Sequence, residues 1–289
     1  MTGPIHTERF APSPTGRLHL GHAYSAILAH DRARAASGRF LLRMEDLDRS
    51  RVRDAYYDGI LDDLRWLGLR WDGPVEWQSK RVSLYERALS KLRDLGLTYI
   101  CTCSRRDIAE AVSAPQEGAP LFGPDGLVYP GTCRLRRNPD STADAIRLNL
   151  ERAIYHLGGP RQLDDLKIFE TGQSGGALNL NAEHLLSGTG DIVLRRRDGA
   201  AAYHLAVVVD DAEQGVTHVT RGEDLASAAP IQRVLQALLE LPTSTYHHHR
   251  LIRDENGRRL AKRHDSLSLS QLKQDGASPQ DIRRLVGLA

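Results

Sequence analysis

The chain has 289 residues and a mass of 32.1 kDa, enough for one or two domains with a substantial core. Hydrophobic residues make up 40% and charged residues 26%, close to the soluble globular average, which excludes a collagen-like, disordered or disulfide-stapled chain. The formal net charge of +2 argues neither for nor against a nucleic-acid partner, so only local charge can do so. Three cysteines, two of them as Cys101 and Cys103, favour a reducing compartment and make metal binding a question to test. No apolar run reaches the ~18 residues of a membrane span, and MTGPIHTERF has no apolar core of a signal peptide. A cytoplasmic globular protein is expected, with no membrane partner.

In chain order, His6 to Phe10 reads as a short strand, followed by a turn-rich stretch from Ala11 to Gly16. An alanine-rich helical pattern covers Gly21 to Ala36, and Arg39 to Met44 reads as a buried strand. Strand, glycine-containing turn, helix and strand form a βαβ unit, the building block of a parallel sheet. Leucines at helical spacing predict helices over Asp54 to Leu67 and Arg81 to Leu95, and Leu97 to Cys101 reads as the next strand. From Cys101 to Arg137 the pattern breaks into an insert holding all three cysteines and a Gly/Pro-rich middle, Ala114 to Gly131. Sheet-like signals return at Asp191 to Arg195 and, after the Asp198-Gly199 turn pair, at Ala202 to Val209. A strand at Val216 to Thr220, a helix from Pro230 to Leu239 and two short helices between Leu267 and Ala289 complete the prediction.

Two stretches carry chemistry. The first is Arg9-Phe10-Ala11-Pro12-Ser13-Pro14-Thr15-Gly16-Arg17-Leu18-His19-Leu20-Gly21-His22, between the first strand and its helix, where α/β sheets bind ligands. A helix N-terminus offers free N–H groups and a positive dipole end to a phosphate. His19 and His22 add donors, and Gly21 removes a Cβ from the approach. Two surface histidines at a helix start are the competing reading. The second stretch is the basic Arg258-Arg259-Leu260-Ala261-Lys262-Arg263, suited to charge building on a leaving pyrophosphate, or else a solvated basic loop.

Together these strings resemble the HIGH and KMSKS motifs of class I aminoacyl-tRNA synthetases. His204-Leu-Ala-Val-Val-Val-Asp-Asp, Val216-Thr-His-Val-Thr-Arg221-Gly-Glu-Asp and Leu251 to His264 resemble the glutamyl branch. Only about 25 residues follow Arg263, so the resemblance is to the short glutamyl-Q tRNA(Asp) synthetases, which lack the anticodon-binding domains. It implies a Rossmann-like parallel-sheet α/β catalytic domain over 1–100 and 138–263, a zinc-binding insert over 101–137 and a helical tail over 264–289. It also implies an enzyme, a ligase that forms glutamyl-adenylate from L-glutamate and ATP. The glutamate then passes to queuosine at the wobble position of tRNA(Asp), without charging of the tRNA 3′ end. A monomer is expected.

By the same resemblance, L-glutamate is bound by Arg9, Phe10, Ala11, Pro12, Ser13, Glu45, Tyr203 and Arg221. Guanidinium suits the two substrate carboxylates, and Glu45 suits the ammonium. ATP is assigned to His19, Gly21, His22 and Lys262, with His19, His22 and Lys262 catalytic and Mg2+ carried by the nucleotide. Arg259 and Ala261 depart from KMSKS, and His204 and Val207 stand where glutamyl-tRNA synthetases carry asparagines. Pairing of Arg9 with Glu45 is the competing structural reading. In the insert, three thiolates suit a closed zinc site; from the residues alone, His156 or water is the fourth ligand. The resemblance implies Cys101, Cys103, Tyr129 and Cys133, holding one structural zinc. Ser104 fits a helix cap, and Arg195-Arg196-Arg197 reads as a solvated basic turn before an RNA contact. A truncated glutamyl-tRNA synthetase charging tRNA(Glu), a catalytically silent RNA-binding paralogue and a small-molecule nucleotidyltransferase are the competing functions.

Overall fold

The computed structural model describes residues 3–113, 122–136, 144–172, 175–252 and 268–288. The first βαβ unit comprises β1 (Thr7–Phe10), α1 (Leu20–Ala35) and β2 (Arg39–Met44), with β1 and β2 parallel and Arg9 opposite Leu41. Next come α2 (Asp54–Trp66), β3 (Glu76–Trp77) and α3 (Val82–Asp94), and β3 extends the sheet parallel to β2. Then β4 (Thr98–Cys101), α4 (Arg105–Ser113), the hairpin of β5 (Phe122–Gly123) and β6 (Gly126–Leu127), and β7 (Ala145–Leu148) follow. After α5 (Leu150–His156) and α6 (Pro160–Leu163) come β8 (Lys167–Glu170), β9 (Gly176–Asn179), α7 (Ala182–Gly188) and β10 (Val193–Arg195). The chain ends with α8 (Tyr203–Glu213), β11 (His218–Gly222), α9 (Ala229–Leu239), β12 (Thr245–His249), α10 (Leu269–Gln274) and α11 (Pro279–Val286).

β11, β12 and β8 are parallel neighbours and β9 closes their edge antiparallel. Thr217 N donates to Thr7 O at 3.0 Å, which lays β11 beside β1 and gives the order β3-β2-β1-β11-β12-β8-β9. The chain thus leaves β1 toward β2 on one side while β11 flanks the other. A crevice opens at such a switch point, beyond the carboxyl ends of the strands. Both faces of the sheet are covered, as the alternation along β2 records. Phe40, Leu42 and Met44 join a core with α1, α2, α10 and α11, whereas Leu41 joins the core of α3, α5, α8 and α9. A separate antiparallel sheet, β10-β7-β4, carries the cysteine-containing insert.

One expectation is overturned. Ala202 to Val209 is not a strand: the Asp198-Gly199 turn forms, with Arg196 N donating to Ala200 O and Gly199 at φ +85°, but pairing stops at an Arg195–Ala201 bridge. Tyr203 then starts α8, and its residues from His204 to Asp211 are all buried. A continuous apolar run suits a fully buried helix as well as a buried strand, and packing against α3 and α9 decides for the helix. The stretch between Arg137 and Asp191, which carried no sequence-based elements, supplies β7, α5, α6, β8, β9 and α7.

Candidate active site

The β1–α1 connection ends in a helix cap built from imidazoles. His19 is the N-cap in extended conformation; its Nδ1 accepts from Gly21 N at 3.1 Å, while Nδ1 of His22 accepts from His19 N at 3.2 Å. The two rings lie 3.8 Å apart between centroids, tilted by 37° to one another. Their position over the first turn, which holds no acidic residue, leaves the positive end of the helix dipole facing the crevice. A Cβ on Gly21 would lie 3.0 Å from Cε1 of His19, so the glycine makes room for that ring.

Deeper in the crevice lies a buried charge network. Arg9, at the end of β1, donates from Nε to Asp211 Oδ1 at 3.2 Å and from Nη1 to Thr220 O at 3.4 Å. Arg43, fully buried on β2, donates to the same Asp211 oxygen at 2.7 Å, to Gln214 at 2.8 Å and to Glu45 at 3.4 Å. Arg9 therefore pairs with Asp211 and Glu45 with Arg43, instead of Arg9 with Glu45. Burial works to raise the Asp211 carboxyl, but the two guanidinium groups outweigh it and hold it below the ordinary value. Glu45 is pushed up, chiefly by burial, with Asp211 and Asp210 adding to the effect against Arg43 and Arg9. Asp210, one residue along α8, collects Arg81, Tyr85 and Gln78.

Arg221, on β11, closes the opposite wall. It donates from Nη1 to Gln232 Oε1 at 2.8 Å and from Nε to His248 Nε2 at 3.0 Å. Its Nη2 is buried and has no hydrogen-bond partner among the described residues. Tyr203, the first residue of α8, completes the wall, and burial pushes its phenol up.

These elements enclose one cavity of about 420 Å³. It brings together Arg9, Phe10, Ala11, Pro12, Ser13, Glu45, Tyr203 and Arg221 with His19, Gly21 and His22. Lys262 and the rest of Arg258 to Arg263 lie outside the described residues. Sequence reasoning missed Ser25 and His249, which share the wall and a 2.6 Å hydrogen bond between Oγ and Nε2. Ser25 lies one helical turn beyond His22, a spacing that could have flagged it. Asp211, equally missed, had only the signal of paired aspartates ending an apolar run. His204 and Val207 are buried in α8 and neither lines the cavity; Nε2 of His204 meets Asp125 of the β5–β6 turn at 3.0 Å.

In the insert, the sulfur atoms of Cys101, Cys103 and Cys133 lie within 4.8 Å of one another. The Tyr129 hydroxyl is 3.5 Å from Cys103 Sγ and accepts from Cys133 N at 2.8 Å. Cys103 and Cys133 are 3.5 Å apart at sulfur, close to the ~3.8 Å that tetrahedral Zn–S bonds of ~2.3 Å impose. Three thiols and one phenol thus fit a four-coordinate zinc; His156, at the end of α5, is not in the cluster. Ser104 caps α4, with reciprocal bonds to Asp107. The arginine run is tied into the fold: Arg195 bonds Asp144 O, Arg196 bonds Asp198 and Leu47 O, and Arg197 bonds Thr102 O.

Comparison with known proteins places this architecture. The family model described as tRNA synthetases class I (E and Q), catalytic domain, matches residues 5–119 and 176–289. A glutamyl-Q tRNA(Asp) synthetase of Rhodobacter capsulatus is 56% identical over 97% of this chain and 99% of its own length. That of Nocardia farcinica is 44% identical over 96% of this chain and 82% of its own. Among solved structures, a glutamate tRNA ligase of Elizabethkingia meningosepticum in complex with its amino acid matches with a TM-score of 0.71 and 25% identity. The match covers 94% of this chain and 53% of that one, so the chain spans about half the ligase's length. A methionyl-tRNA synthetase of Mycobacterium tuberculosis, 12% identical with a TM-score of 0.62, shares the fold. Five of the six parallel strands, all but β8, and every residue lining the cavity fall within the matched segments; the chain belongs to the glutamyl-Q tRNA(Asp) synthetase family of class I aminoacyl-tRNA synthetases.

Proposed function

We propose that this enzyme activates L-glutamate with ATP and transfers the glutamyl group to queuosine in tRNA(Asp), leaving the tRNA 3′ end uncharged. The observation that carries this reading is one cavity in which a histidine-capped helix N-terminus adjoins two buried arginines and the half-buried carboxylate of Glu45. The relatives' names support the same acceptor.

Glutamate presents two carboxylates and an ammonium. Arg9 and Arg221 take the carboxylates, and Glu45 takes the ammonium, whose positive charge favours the ionised carboxylate. Phe10, Ala11, Pro12, Ser13 and Tyr203 form the surrounding wall. His19, His22 and the first turn of α1 hold ATP phosphates, with Gly21 admitting the close approach and Lys262 supplying a further cation. Magnesium carried by the nucleotide would screen the phosphate charge. A substrate carboxylate oxygen attacks the α-phosphorus and pyrophosphate leaves. A hydroxyl of the acceptor then attacks the mixed anhydride and AMP leaves. The protein supplies position and charge complementarity and no covalent nucleophile. Cys101, Cys103, Tyr129 and Cys133 would hold one structural zinc, which contributes order to an insert with little apolar core of its own.

The test is ATP–pyrophosphate exchange without RNA, using glutamate, glutamine and aspartate. Exchange with glutamate alone is the expected result, followed by transfer of labelled glutamate to queuosine-containing tRNA(Asp) and not to tRNA(Glu). Exchange that requires tRNA(Glu) would replace this reading with a glutamyl-tRNA synthetase, and no exchange at all would leave an RNA-binding paralogue.

A further inference from the structure

Arg221 reaches the cavity through a chain of buried groups spanning three neighbouring strands. Glu170 ends β8, His248 lies on β12 and Arg221 on β11; Arg221 and His248 are direct partners in the ladder. All three side chains are buried. A guanidinium can only donate, so the 3.0 Å bond from Arg221 Nε requires an unprotonated Nε2 on His248. The proton of the neutral ring is then on Nδ1, where Glu170 Oε2 accepts it. Glu170 is anchored in turn: its Oε1 accepts from His248 N at 3.0 Å and from Gly172 N at 2.6 Å. A Cβ on Gly172 would fall 2.3 Å from His248 O, so only glycine lets the chain turn back at this spacing. Arg221 lines the cavity; with Nε on His248 and Nη1 on Gln232, its guanidinium is fixed at two of its three nitrogens, and the third, Nη2, is buried with no hydrogen-bond partner among the described residues.

We propose that Glu170 and His248 are positioning residues: they set one imidazole tautomer, and that tautomer aims Arg221 Nη2 at a carboxylate of the amino-acid substrate. Neither residue lines the cavity, so both act through Arg221. Burial and the neighbouring Arg221 hold the His248 imidazole below its ordinary value, which keeps it in the neutral form the relay needs. The proposal rests on the reading of Arg221 as a carboxylate-binding residue.

Glu170→Gln separates positioning from packing. The amide oxygen still accepts from the two backbone N–H groups, but its NH2 now faces His248 Nδ1. The ring must then carry its proton on Nε2, directly against Arg221 Nε–H. In glutamate-dependent ATP–pyrophosphate exchange, Glu170→Gln is expected to raise the KM for glutamate about tenfold or more and to leave the KM for ATP within about twofold. His248→Gln, which can still offer an amide oxygen to Arg221, is expected to lie nearer wild type than His248→Leu. An unchanged glutamate KM in Glu170→Gln, or equal rises for glutamate and ATP, would overturn the proposal. Arg221→Lys is run beside them: if it leaves the glutamate KM unchanged, the reading of Arg221 fails and the relay with it. If it raises that KM while Glu170→Gln does not, only the relay fails. Should Glu170→Gln not fold, nitrogen-15 NMR of the wild-type imidazole at neutral pH decides, with His248→Gln assigning the signal. An Nδ1–H tautomer is expected, and an Nε2–H tautomer or an imidazolium would overturn the relay.

Discussion

A methyl group on Gly21 would meet the His19 ring at 3.0 Å, closer than ordinary van der Waals contact, so the ring has to move by a few tenths of an ångström. Gly21→Ala should therefore cost about tenfold in ATP–pyrophosphate exchange while shifting stability by no more than about 1 kcal/mol, since alanine is the better helix former. Activity assays and urea unfolding on one preparation check both halves. Asp211 makes the opposite case, a residue on which charge balance depends. It bridges Arg9 and the fully buried Arg43, and its removal leaves two guanidinium groups short of a counter-charge. Asp211→Asn is expected to destabilise by about 3–5 kcal/mol at neutral pH. Because the folded carboxyl titrates below its unfolded value of about 3.9, its contribution is fully present above that pH and is lost as pH falls through the folded value. The difference between wild type and Asp211→Asn in urea midpoints should hold from pH 7 down to about 4 and shrink below it.

At the level of elements, legibility followed local signal. The boundaries of β2, Arg39–Met44, were readable because it opens at a glycine and alternates between two cores, and α4 was readable because Ser104 and Asp107 form a capping pair. By contrast, α8 was read as a strand, since a run of valines buried on every side has no period to separate the two. That error concealed Asp210 and Asp211, whose partners come from β1, β2 and α3 and so appear only when the chain is folded. Glu170 was invisible for the same reason, being paired with a histidine 78 residues away. The cavity lining was legible because most of it lies in contiguous motifs. The insert supports a further prediction. Among the described residues its buried cluster is only Cys101, Tyr129 and Cys133, packed on Ala145 of β7, so a bound metal would add much of its order. Protein purified without chelator should contain about one zinc per chain, and Cys133→Ser should abolish it. The substitution should lower the melting temperature by about 5 °C or more and expose the insert to proteolysis. Absence of zinc in the wild-type protein would refute the site.

Over the whole molecule, the C-terminal helices support the histidine-capped end of the cavity. Leu269 N donates to Leu18 O and Ser268 bridges to His19, so α10 begins against the histidine cap of α1. From α11, Val286 packs with Tyr24 of α1 and with Ile252, and its carbonyl accepts from Arg250 at 2.9 Å. Arg283 forks onto Asp31 of α1 at 2.7 and 3.1 Å, but both groups are partly exposed, so this pair adds no more than about 1 kcal/mol. Ile252 and Ser268 are the described residues on either side of the stretch that contains Lys262, and both are held by the same helices that clamp α1. Loosening α11 should accordingly weaken ATP handling in preference to glutamate binding, whose arginines sit on β1 and β11. Val286→Ala removes a fully buried side chain and is expected to cost about 2 kcal/mol in denaturant unfolding. At temperatures where the variant remains folded, the KM for ATP should rise about threefold or more with the KM for glutamate unchanged. Equal rises in both would mean that α11 supports the domain as a whole and has no particular bearing on the nucleotide side.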